Sequence, residues 1–486
     1  MKKKILYIII PIIIAIVAFV GVNRYYNKED RTTTLTVSEK RWVEENKDQT
    51  FDFEVVNDYP LYGMNGSGVI FNFIDDFEKN VGLEFNKIPY LKSSKDQTDG
   101  LRVRILDDNK KLTDKDLPLF TDNYIAVGKK YERINHIKDM KDMTIGVFKA
   151  DSEDISYYLK SGSNLSYETF EKIEDLYKAL DDDKVNMIIV PNIMYLDYII
   201  EKDKYSINYF FTEYEKQIVL TLSDNNETLN NIVKKYYNKW RLTKYIEEYN
   251  AAYLDYYLTK NKLSAKDKSS LVSKTYVYGY VENEPYELKV HSKLAGIAGE
   301  YVNRMSRLGN MDFKYKKFAN KKDLEKAIDK GEIDIYFDYY NLNSEDYLPT
   351  VSTFVEDYVV LGKQEDNHIV NSFESLKDEK ILMLKGDSLY TYFQSNSKAK
   401  IKTYDDLDSM IKEAGSNVLV VDYEIYSYYQ NSKFEDFKLL YKDSMMNDYK
   451  FMVKKNNKEF YDLFNYIINT NSYYNYRNTG IENLHA

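Results

Sequence analysis

The hydrophobic and polar positions of the chain form a pattern that occurs twice. In the first copy, short apolar runs at residues 124–128 and 144–148 flank a polar connection, and the matching runs of the second copy lie at 358–362 and 380–384. Short apolar runs bounded by polar residues predict buried strands. A Lys-x-Asp-Ser turn follows in both copies. Solenoid repeats are roughly 20 to 50 residues long, so this much longer repeat predicts a duplicated domain.

Each copy also predicts the same order of strands and helices. A first strand precedes a glycine that begins an amphipathic helix, and a second strand, a later apolar strand and a closing amphipathic helix follow. These features lie at 51–56, Gly68, 83–88, 185–191 and Leu229 in the first copy, and at 276–281, Gly296, 311–315, 417–422 and Phe460 in the second. The repeated strand, helix, strand order predicts parallel α/β lobes.

The N-terminus has the pattern of a membrane anchor. Lys2, Lys3 and Lys4 precede an uncharged apolar run at residues 5–22, which is long enough to approach a bilayer span. By the positive-inside rule, the short N-terminus lies in the cytoplasm and the bulk of the chain is extracytoplasmic. A cleaved signal peptide is the alternative, although the run is long for one and lacks a clear small-x-small cleavage site.

A short helix is predicted before the first strand of each copy. Thr36 and Glu39 have the spacing of a capping box, and residues 263–271 form the counterpart in the second copy. The chain is therefore divided into an anchor at 1–22, a linker with lead-in helix at 23–48, a first domain at 49–250, a second linker with lead-in helix at 251–274 and a second domain at 275–486.

The amino-acid composition argues against several classes of function. The 486 residues contain no cysteine and four histidines, and no two histidines have the spacing of metal ligands. We therefore expect no disulfide, no cysteine nucleophile, no metal and no cofactor. The formal net charge of −10 argues against nucleic acid as a partner, because phosphate binding needs basic patches. The 49 tyrosines predict aromatic packing, with stacking on a ring ligand as the alternative.

The repeated motifs resemble a known family. They are Asp58-Tyr59-Pro60 or Glu284-Pro285-Tyr286 after the first strand, the helix starts at Gly68 and Gly296, and the Tyr-x-x-x-Gly-Lys strands. Their order resembles the bacterial extracellular solute-binding proteins of family 3, which have the type 2 periplasmic-binding-protein or Venus-flytrap fold. The resemblance covers residues 51–250 and 275–476. The lead-in helices are similar to those before the tandem flytrap domains of membrane sensors.

The resemblance implies two tandem bilobal domains, each of which closes around a ligand between its lobes. Family members that bind amino acids hold the carboxylate with an arginine shortly before the first crossover strand, and the amino group with an aspartate that ends a strand of the second lobe. The matching stretches at 112–120 and 341–353 contain no arginine. The aspartate matches Asp422 in the second domain, whereas Pro191 takes that position in the first.

Other candidate ligand-binding residues follow from position. Asp151-Ser152 and Asp387-Ser388 precede a predicted helix, so they either receive a ligand anion or cap the helix. Tyr59, Tyr62 and Tyr286 either stack on a ligand or line the surface between the lobes. Acidic residues either give the second cleft a negative field that suits a cationic amine or lie in solvated loops. These acidic residues include Asp58, Glu282, Glu284, Asp338 and Asp422.

The function predicted first is a membrane-anchored extracytoplasmic sensor or receptor ectodomain for a small molecule, an amino acid, amine or similar compound. The alternatives are the substrate-binding component of an ABC transporter and a degenerate flytrap pair that binds only a protein. An ABC permease or a separate signalling protein would be the partner. We expect no enzyme, because no nucleophile-base or metal constellation is visible.

Overall fold

The structure, a computed structural model, describes residues 34–90, 98–106, 112–130, 132, 134, 136–201, 205–342, 344–471 and 476–485. The chain divides into two compact units, the first ending at Tyr256 and the second containing Tyr257–Ala486 and the short stretch Ile199–Asp203. The predicted anchor at residues 5–22 lies outside the described residues. Within the described ranges, no helix is long and apolar enough to cross a membrane.

The first unit contains a mixed sheet with the strand order β4-β1-β5-β10-β6-β9-β7-β8. Its strands are β1 (Thr50–Val55), β4 (Glu84–Pro89), β5 (Leu101–Leu106), β6 (Asp116–Gly128), β7 (Thr144–Phe148), β8 (Ser166–Phe170), β9 (Met187–Pro191) and β10 (Ser206–Thr221), with the small pair β2 (Asp58–Tyr59) and β3 (Gly63–Met64). The long antiparallel strands β6 and β10 run through both halves of the sheet. They therefore join a first lobe, built on β4, β1 and β5, to a second lobe built on β9, β7 and β8.

Helices cover the sheet of the first unit. They are α1 (Val37–Asn46), α2 (Val69–Val81), α3 (Ser152–Tyr158), α4 (Ile173–Asp181), α5 (Leu196–Glu201), α6 (Glu227–Thr243) and α7 (Tyr245–Lys260), with 3₁₀ turns at Ile137–Asp139, Lys149–Asp151 and Asn192–Tyr195. The apolar positions of α2 and α6 are buried, among them Phe73, Phe77 and Trp240. Phe73 packs edge-on against Trp240 with 4.9 Å between ring centroids, so the stripes read from the sequence form core contacts.

The second unit has two sheets, ordered β14-β11-β15-β22-β16 and β19-β18-β20-β17-β21. Their strands are β11 (Thr275–Val281), β14 (Asp312–Phe318), β15 (Ile335–Phe337), β16 (Tyr347–Pro349), β17 (Phe354–Lys363), β18 (Lys380–Leu384), β19 (Lys400–Tyr404), β20 (Val418–Asp422), β21 (Phe437–Tyr449) and β22 (Phe451–Lys454), with the hairpin β12 (Leu288–Val290) and β13 (Lys293–Ala295). The first sheet belongs to the first lobe and the second sheet to the second lobe.

The helices of the second unit follow the order of those in the first, with one addition, α10, that has no counterpart among the described residues of the first unit. They are α8 (Ala265–Ser273), α9 (Gly296–Gly309), α10 (Lys321–Asp329), α11 (Ser388–Asn396), α12 (Leu407–Lys412), α13 (Tyr423–Tyr429), α14 (Lys458–Thr470) and α15 (Tyr476–His485), with a 3₁₀ turn at Glu374–Asp378. The predicted cap is present before α1, and α8 has a cap of the same kind that was not predicted from the sequence. Thr36 and Glu39 form one reciprocal capping box, and Ser264 and Asp267 form the other.

The two units have the same topology. Strands β6 and β10 take part in both lobes of the first unit. The strand order is therefore β4-β1-β5-β10-β6 in its first lobe and β8-β7-β9-β6-β10 in its second lobe, which matches the order of the two sheets in the second unit. The turns before α2 and α9 also match. Gly68 and Gly296 have φ of 117° and 91°, and a Cβ at either would lie within 2.6 Å of a carbonyl oxygen, that of Leu61 or of Tyr286. Only glycine fits such a turn.

Two expectations need correction. The lobes are mixed and not purely parallel, because β6 and β17 run antiparallel to their neighbours β9 and β20. In addition, the pattern did not reveal β10 and β21, the returning strands of the two crossovers.

Candidate functional site

Three carboxyl groups meet at one edge of the second lobe in the second unit. Asp422 ends β20, and Asp387 follows β18 by three residues. Since β18 and β20 are parallel, their carboxyl ends share one edge. Strand β17 runs antiparallel to β20 with Tyr358 opposite Asp422, so Glu356 near the start of β17 reaches the same edge. All three residues are buried, with 2 to 6 % of their surface exposed.

Asp422 is hydrogen-bonded to both lobes. The hydroxyls of Tyr286 and Tyr449 each donate to one of its oxygens at 2.7 Å, and the backbone N–H groups of Glu424 and Ile425 donate at 2.9 and 3.1 Å. Tyr286 precedes α9 in the first lobe. The Tyr286–Asp422 bond therefore joins the two lobes of this unit.

Asp387, Ser388 and Glu356 form the rest of the cluster. The Asp387 carboxylate accepts the Tyr390 N–H at 2.7 Å and caps α11, and the Ser388 hydroxyl donates to Glu356. The alternative role predicted for Ser388 and Ser152 was to cap the helices that follow. The residues at these cap positions are instead Asp387 and, in the first unit, Asp151. Both Ser388 and the first turn of α11 are thus engaged by carboxylates of the protein itself.

Burial disfavours the charged forms of these carboxyls. It raises the pKa of Glu356 to about 8 and that of Asp387 to about 7, with the neighbouring Asp422 adding to both shifts. Burial also raises the pKa of Asp422, although the tyrosine hydrogen bonds oppose the shift. The Oε2 atom of Glu356 is buried without a well-aligned hydrogen bond, and the nearby Tyr449 hydroxyl partly opposes the rise in the pKa of Glu356. Such an atom is costly unless a partner satisfies it.

No lysine or arginine of the described residues forms an ion pair with these three carboxyls. The nearest cations act at longer range. Lys321 donates to the carbonyl of Gly386 at 3.1 Å, and Arg477 is paired with Glu424; these two cations lower the pKa of Asp387 and of Asp422, respectively. Within the described residues, these three carboxyls are therefore buried without an ion-paired cation.

An aromatic wall lies beside the carboxyls. The ring centroids of Tyr286 and Tyr339 are 5.1 Å apart, and Tyr449 lies 5.3 Å from Tyr286 and 5.1 Å from Phe354. Ring faces attract cations, and the attraction grows when the cation loses water. Carboxylates and aromatic faces together are the chemistry that binds an organic ammonium group.

The first unit has a related but different cluster. The Lys216 ammonium donates to Asp151 Oδ1 at 2.6 Å, and the Tyr124 hydroxyl donates to Asp151 Oδ2 at 2.8 Å. Tyr59 donates to Asp122, whose pKa burial raises to about 7 in spite of the nearby Lys216 charge. The cluster of this unit thus contains its own cation.

The remaining candidates of the first unit do not join that cluster. Tyr62 is 1 % exposed and stacks on Phe120 with 4.0 Å between centroids, while its hydroxyl lies 2.9 Å from that of Tyr245. The Ser152 hydroxyl donates to the carbonyl of Lys149. Neither residue contacts Asp151 through a hydrogen bond of its side chain.

Two acidic candidates of the second unit lie apart from the carboxyl cluster. Glu284 accepts a hydrogen bond from Tyr429. Asp338 accepts the Leu342 N–H at 2.7 Å within its own loop, and burial raises its pKa to about 6. Of the candidates in this unit, the structure thus brings together Tyr286, Asp387, Ser388 and Asp422.

Comparisons with known structures address the fold. A solved structure of a VC protein is similar over 90 % of this chain and 100 % of its own, with 12 % identity and a TM-score of 0.51. The periplasmic domain of BvgS from B. pertussis covers 90 % of both chains, with 12 % identity and a TM-score of 0.37. The ligand-binding core of GluR0 in complex with L-glutamate covers 43 % of this chain and 97 % of its own, with 14 % identity and a TM-score of 0.37.

Comparisons with protein-family models and with curated proteins found no match. The repeated strand order and the end-to-end structural match agree on the architecture. The resemblance to tandem flytrap domains is confirmed. The membrane anchor in front of the flytrap pair stays a prediction.

Sequence reasoning missed Glu356 and Tyr449 of the second cluster and Asp122, Tyr124 and Lys216 of the first. Glu356 opens the repeated motif, and a charged residue at the start of an otherwise apolar strand was the available signal. Tyr449 and Lys216 lie on β21 and β10. These strands mix polar and aromatic positions where they pass between the lobes, so their side chains could not be placed from periodicity.

Proposed function

We propose that the chain is a membrane-anchored, extracytoplasmic flytrap protein whose second domain senses an organic cation. The observation that carries the proposal is the buried cluster of Glu356, Asp387 and Asp422, which has no ion-paired cation within the described residues. Buried carboxylates are stable when paired with a cation and hydrogen-bonded. A ligand ammonium supplies that charge and its N–H donors.

The response to the ligand is closure of the lobes. Asp422 lies in the second lobe and Tyr286 in the first, so their hydrogen bond forms only when the two lobes approach each other. An ammonium that binds Asp422 and Glu356 adds contacts made only in the closed form, and a ligand shifts a conformational equilibrium by its differential affinity for the two states. No bond is made or broken, so the proposed function is not enzymatic.

The residues favour an amine over an α-amino acid. A ligand carboxylate needs a cationic fork such as arginine, and Arg477, whose charge acts on Asp422, is already paired with Glu424. The Asp387 carboxylate at the start of α11 would repel a second anion. Amines without a carboxylate, including diamines and quaternary ammonium compounds, fit the charge of the cluster.

The test is a thermal-shift series on the full chain with propylammonium, 1,4-diaminobutane and choline, each compared with its neutral alcohol analogue. A ligand at 100 times its dissociation constant stabilises a protein by about 2.7 kcal/mol. We expect at least one amine, and no alcohol, to raise the melting temperature. Asp422→Asn and Glu356→Gln should each abolish that shift, whereas Asp338→Asn should retain it. A shift that survives both cluster variants contradicts the proposed site.

A second candidate function is a degenerate pair that binds only protein. It is favoured by the tyrosines, because Tyr286 and Tyr449 already satisfy both oxygens of Asp422. In that case no amine of the series changes the melting temperature, and Tyr286→Phe with Tyr449→Phe together create no amine response. An amine response in that double variant alone would instead show that the tyrosines compete with the ligand.

The anchor and location are a separate part of the proposal. They rest on Lys2, Lys3 and Lys4 and the apolar run at 5–22. Alkaline phosphatase fused after Ala486 should be active and remain with the membrane fraction in a bacterial host. Activity in the soluble fraction would favour cleavage of the segment, and an inactive fusion would contradict the extracytoplasmic orientation.

A further inference from the structure

The cation of the first unit lies where its two crossing strands meet. Lys216 on β10 is opposite Asp122 on β6. On one side of this pair β10 is bonded to β5 of the first lobe, and on the other side β6 is bonded to β9 of the second lobe. The Lys216 ammonium extends to Asp151, at the start of α3 in the second lobe.

The ammonium is buried and has the partners of a bound amine. The side chains of Lys216 and Asp151 are 3 % and 2 % exposed. The ammonium lies 5.2 Å from the centroid of the Tyr124 ring, and Tyr124 donates to the same Asp151 carboxylate. Its charge also opposes the rise that burial causes in the pKa of Asp122. Asp122 in turn accepts hydrogen bonds from Tyr59 of the first lobe and from the backbone N–H of Ile193 in the second lobe.

The repeat shows what this lysine replaces. Asp122 and Asp151 occupy the positions of Glu356 and Asp387 in the matching motifs, and Pro191 occupies the position of Asp422, since both lie opposite the motif tyrosine. Strand β21 carries Met-Met-Asn between Ser444 and Asp448, so the second domain has no lysine in this part of the strand. The cluster of the first domain therefore contains the Lys216 ammonium and two carboxyls. The cluster of the second domain contains three carboxyls and no lysine at the matching position.

We infer that the first domain contains an ammonium site whose occupant is the chain's own Lys216, so that this domain is closed by a tethered ligand and not by a free solute. The side chain fixes the distance between the crossing strands and Asp151 and supplies the charge that a bound amine would supply. The first domain therefore binds no free amine. This inference is independent of the function proposed for the second domain.

The test removes the Lys216 side chain by mutation and then adds the missing part as a free amine. Lys216→Ala deletes the part of the side chain that corresponds to propylammonium. The full chain lacks cysteine, so Glu84→Cys on β4 and Glu168→Cys on β8 accept spin labels at the two ends of the sheet. We expect Lys216→Ala to lengthen or broaden the distance between the labels and to lower the melting temperature of the first domain. Propylammonium should reverse both changes, and propanol should reverse neither.

Lys216→Met is the matched control, because methionine fills the space but carries no charge. We expect this variant to show the longer distance with no recovery in propylammonium. Lys235→Ala, which removes a half-exposed lysine paired with Glu39, should keep the wild-type distance. The inference is overturned if Lys216→Met keeps the wild-type distance, or if Lys216→Ala folds and propylammonium restores neither quantity. Should Lys216→Ala fail to fold, the distance in Lys216→Met decides.

Discussion

At the scale of single residues, Glu356 determines the chemistry of the second cluster. It is an acid in a strand that is otherwise largely buried and apolar, and it lies beside two further buried carboxyls. Asp422 was identified through the family resemblance, because its position ends a strand. Glu356 was not, since no motif of the family assigns it a role and its partners come from distant parts of the chain.

The raised pKa of Glu356 predicts a pH-dependent stability. The folded chain holds a proton up to a pH of about 8, whereas the unfolded chain releases it near the ordinary glutamate value of 4.5. The folded state therefore binds more protons within this window, and the free energy of unfolding falls as pH rises through it, by up to about 1.4 kcal/mol per pH unit for one proton. Urea unfolding at several pH values checks this.

Two variants give this prediction its controls. Glu356→Gln keeps a group that can accept the Ser388 hydrogen bond but does not titrate, so we expect a weaker decline of stability with pH. Glu482 is at an exposed position of α15, so the stability of Glu482→Gln should fall with rising pH as steeply as that of the wild type. An unchanged slope in Glu356→Gln would show that Glu356 does not hold the proton.

The same groups predict the pH dependence of amine binding. A cation binds the ionised cluster, so binding must displace the protons of Glu356 and Asp387, whose pKa values lie near 8 and 7. Affinity for an amine therefore rises as pH rises towards about 8, and protons are released on binding. Calorimetry in two buffers of different ionisation enthalpy measures that release. Proton uptake, or affinity that falls over this range, would contradict the prediction.

At the scale of elements, local signals were the most reliable. The capping box of α1, the helix α8 and the strands β7 and β18 lie where the pattern placed them, because each depends on residues close in sequence. Strands β10 and β21 were missed, because they gain their identity from pairing with β6 and β17 over long sequence separations. Both missed strands carry cluster residues, so the site was predicted less completely than the fold.

Helix α15 gives a prediction at this scale. Its Gly480 packs against α9 so closely that a Cβ would lie 2.7 Å from the Cα of Ile297, and Tyr476 stacks on Tyr301 with 3.7 Å between centroids. Gly480→Ala forces backbone atoms apart, and we expect a loss of about 1 to 3 kcal/mol in unfolding free energy. Denaturant unfolding measures it. Glu482→Ala on the same helix should change stability by less than about 0.5 kcal/mol.

At the scale of the whole molecule, the two units have one topology but different buried clusters. The repeat predicted the shared architecture, since motif order survives when most residues change. The difference depends on a few side chains, chiefly Lys216 in one cluster and Asp422 in the other, each inside an otherwise matching framework. A repeat in sequence therefore indicates the fold of both domains but not equal binding by both.

The number of amine molecules bound per chain shows which of the two clusters binds a free amine. With propylammonium as the probe, the wild type should bind one molecule, because the second cluster accepts an ammonium and Lys216 occupies the first. Lys216→Ala should bind two, and Lys216→Ala combined with Asp422→Asn should again bind one. Calorimetric titration or equilibrium dialysis of the full chain gives these numbers. Two molecules bound by the wild type would show that Lys216 does not exclude a free amine, whereas one molecule bound equally by wild type and Lys216→Ala would show that deleting the side chain creates no site.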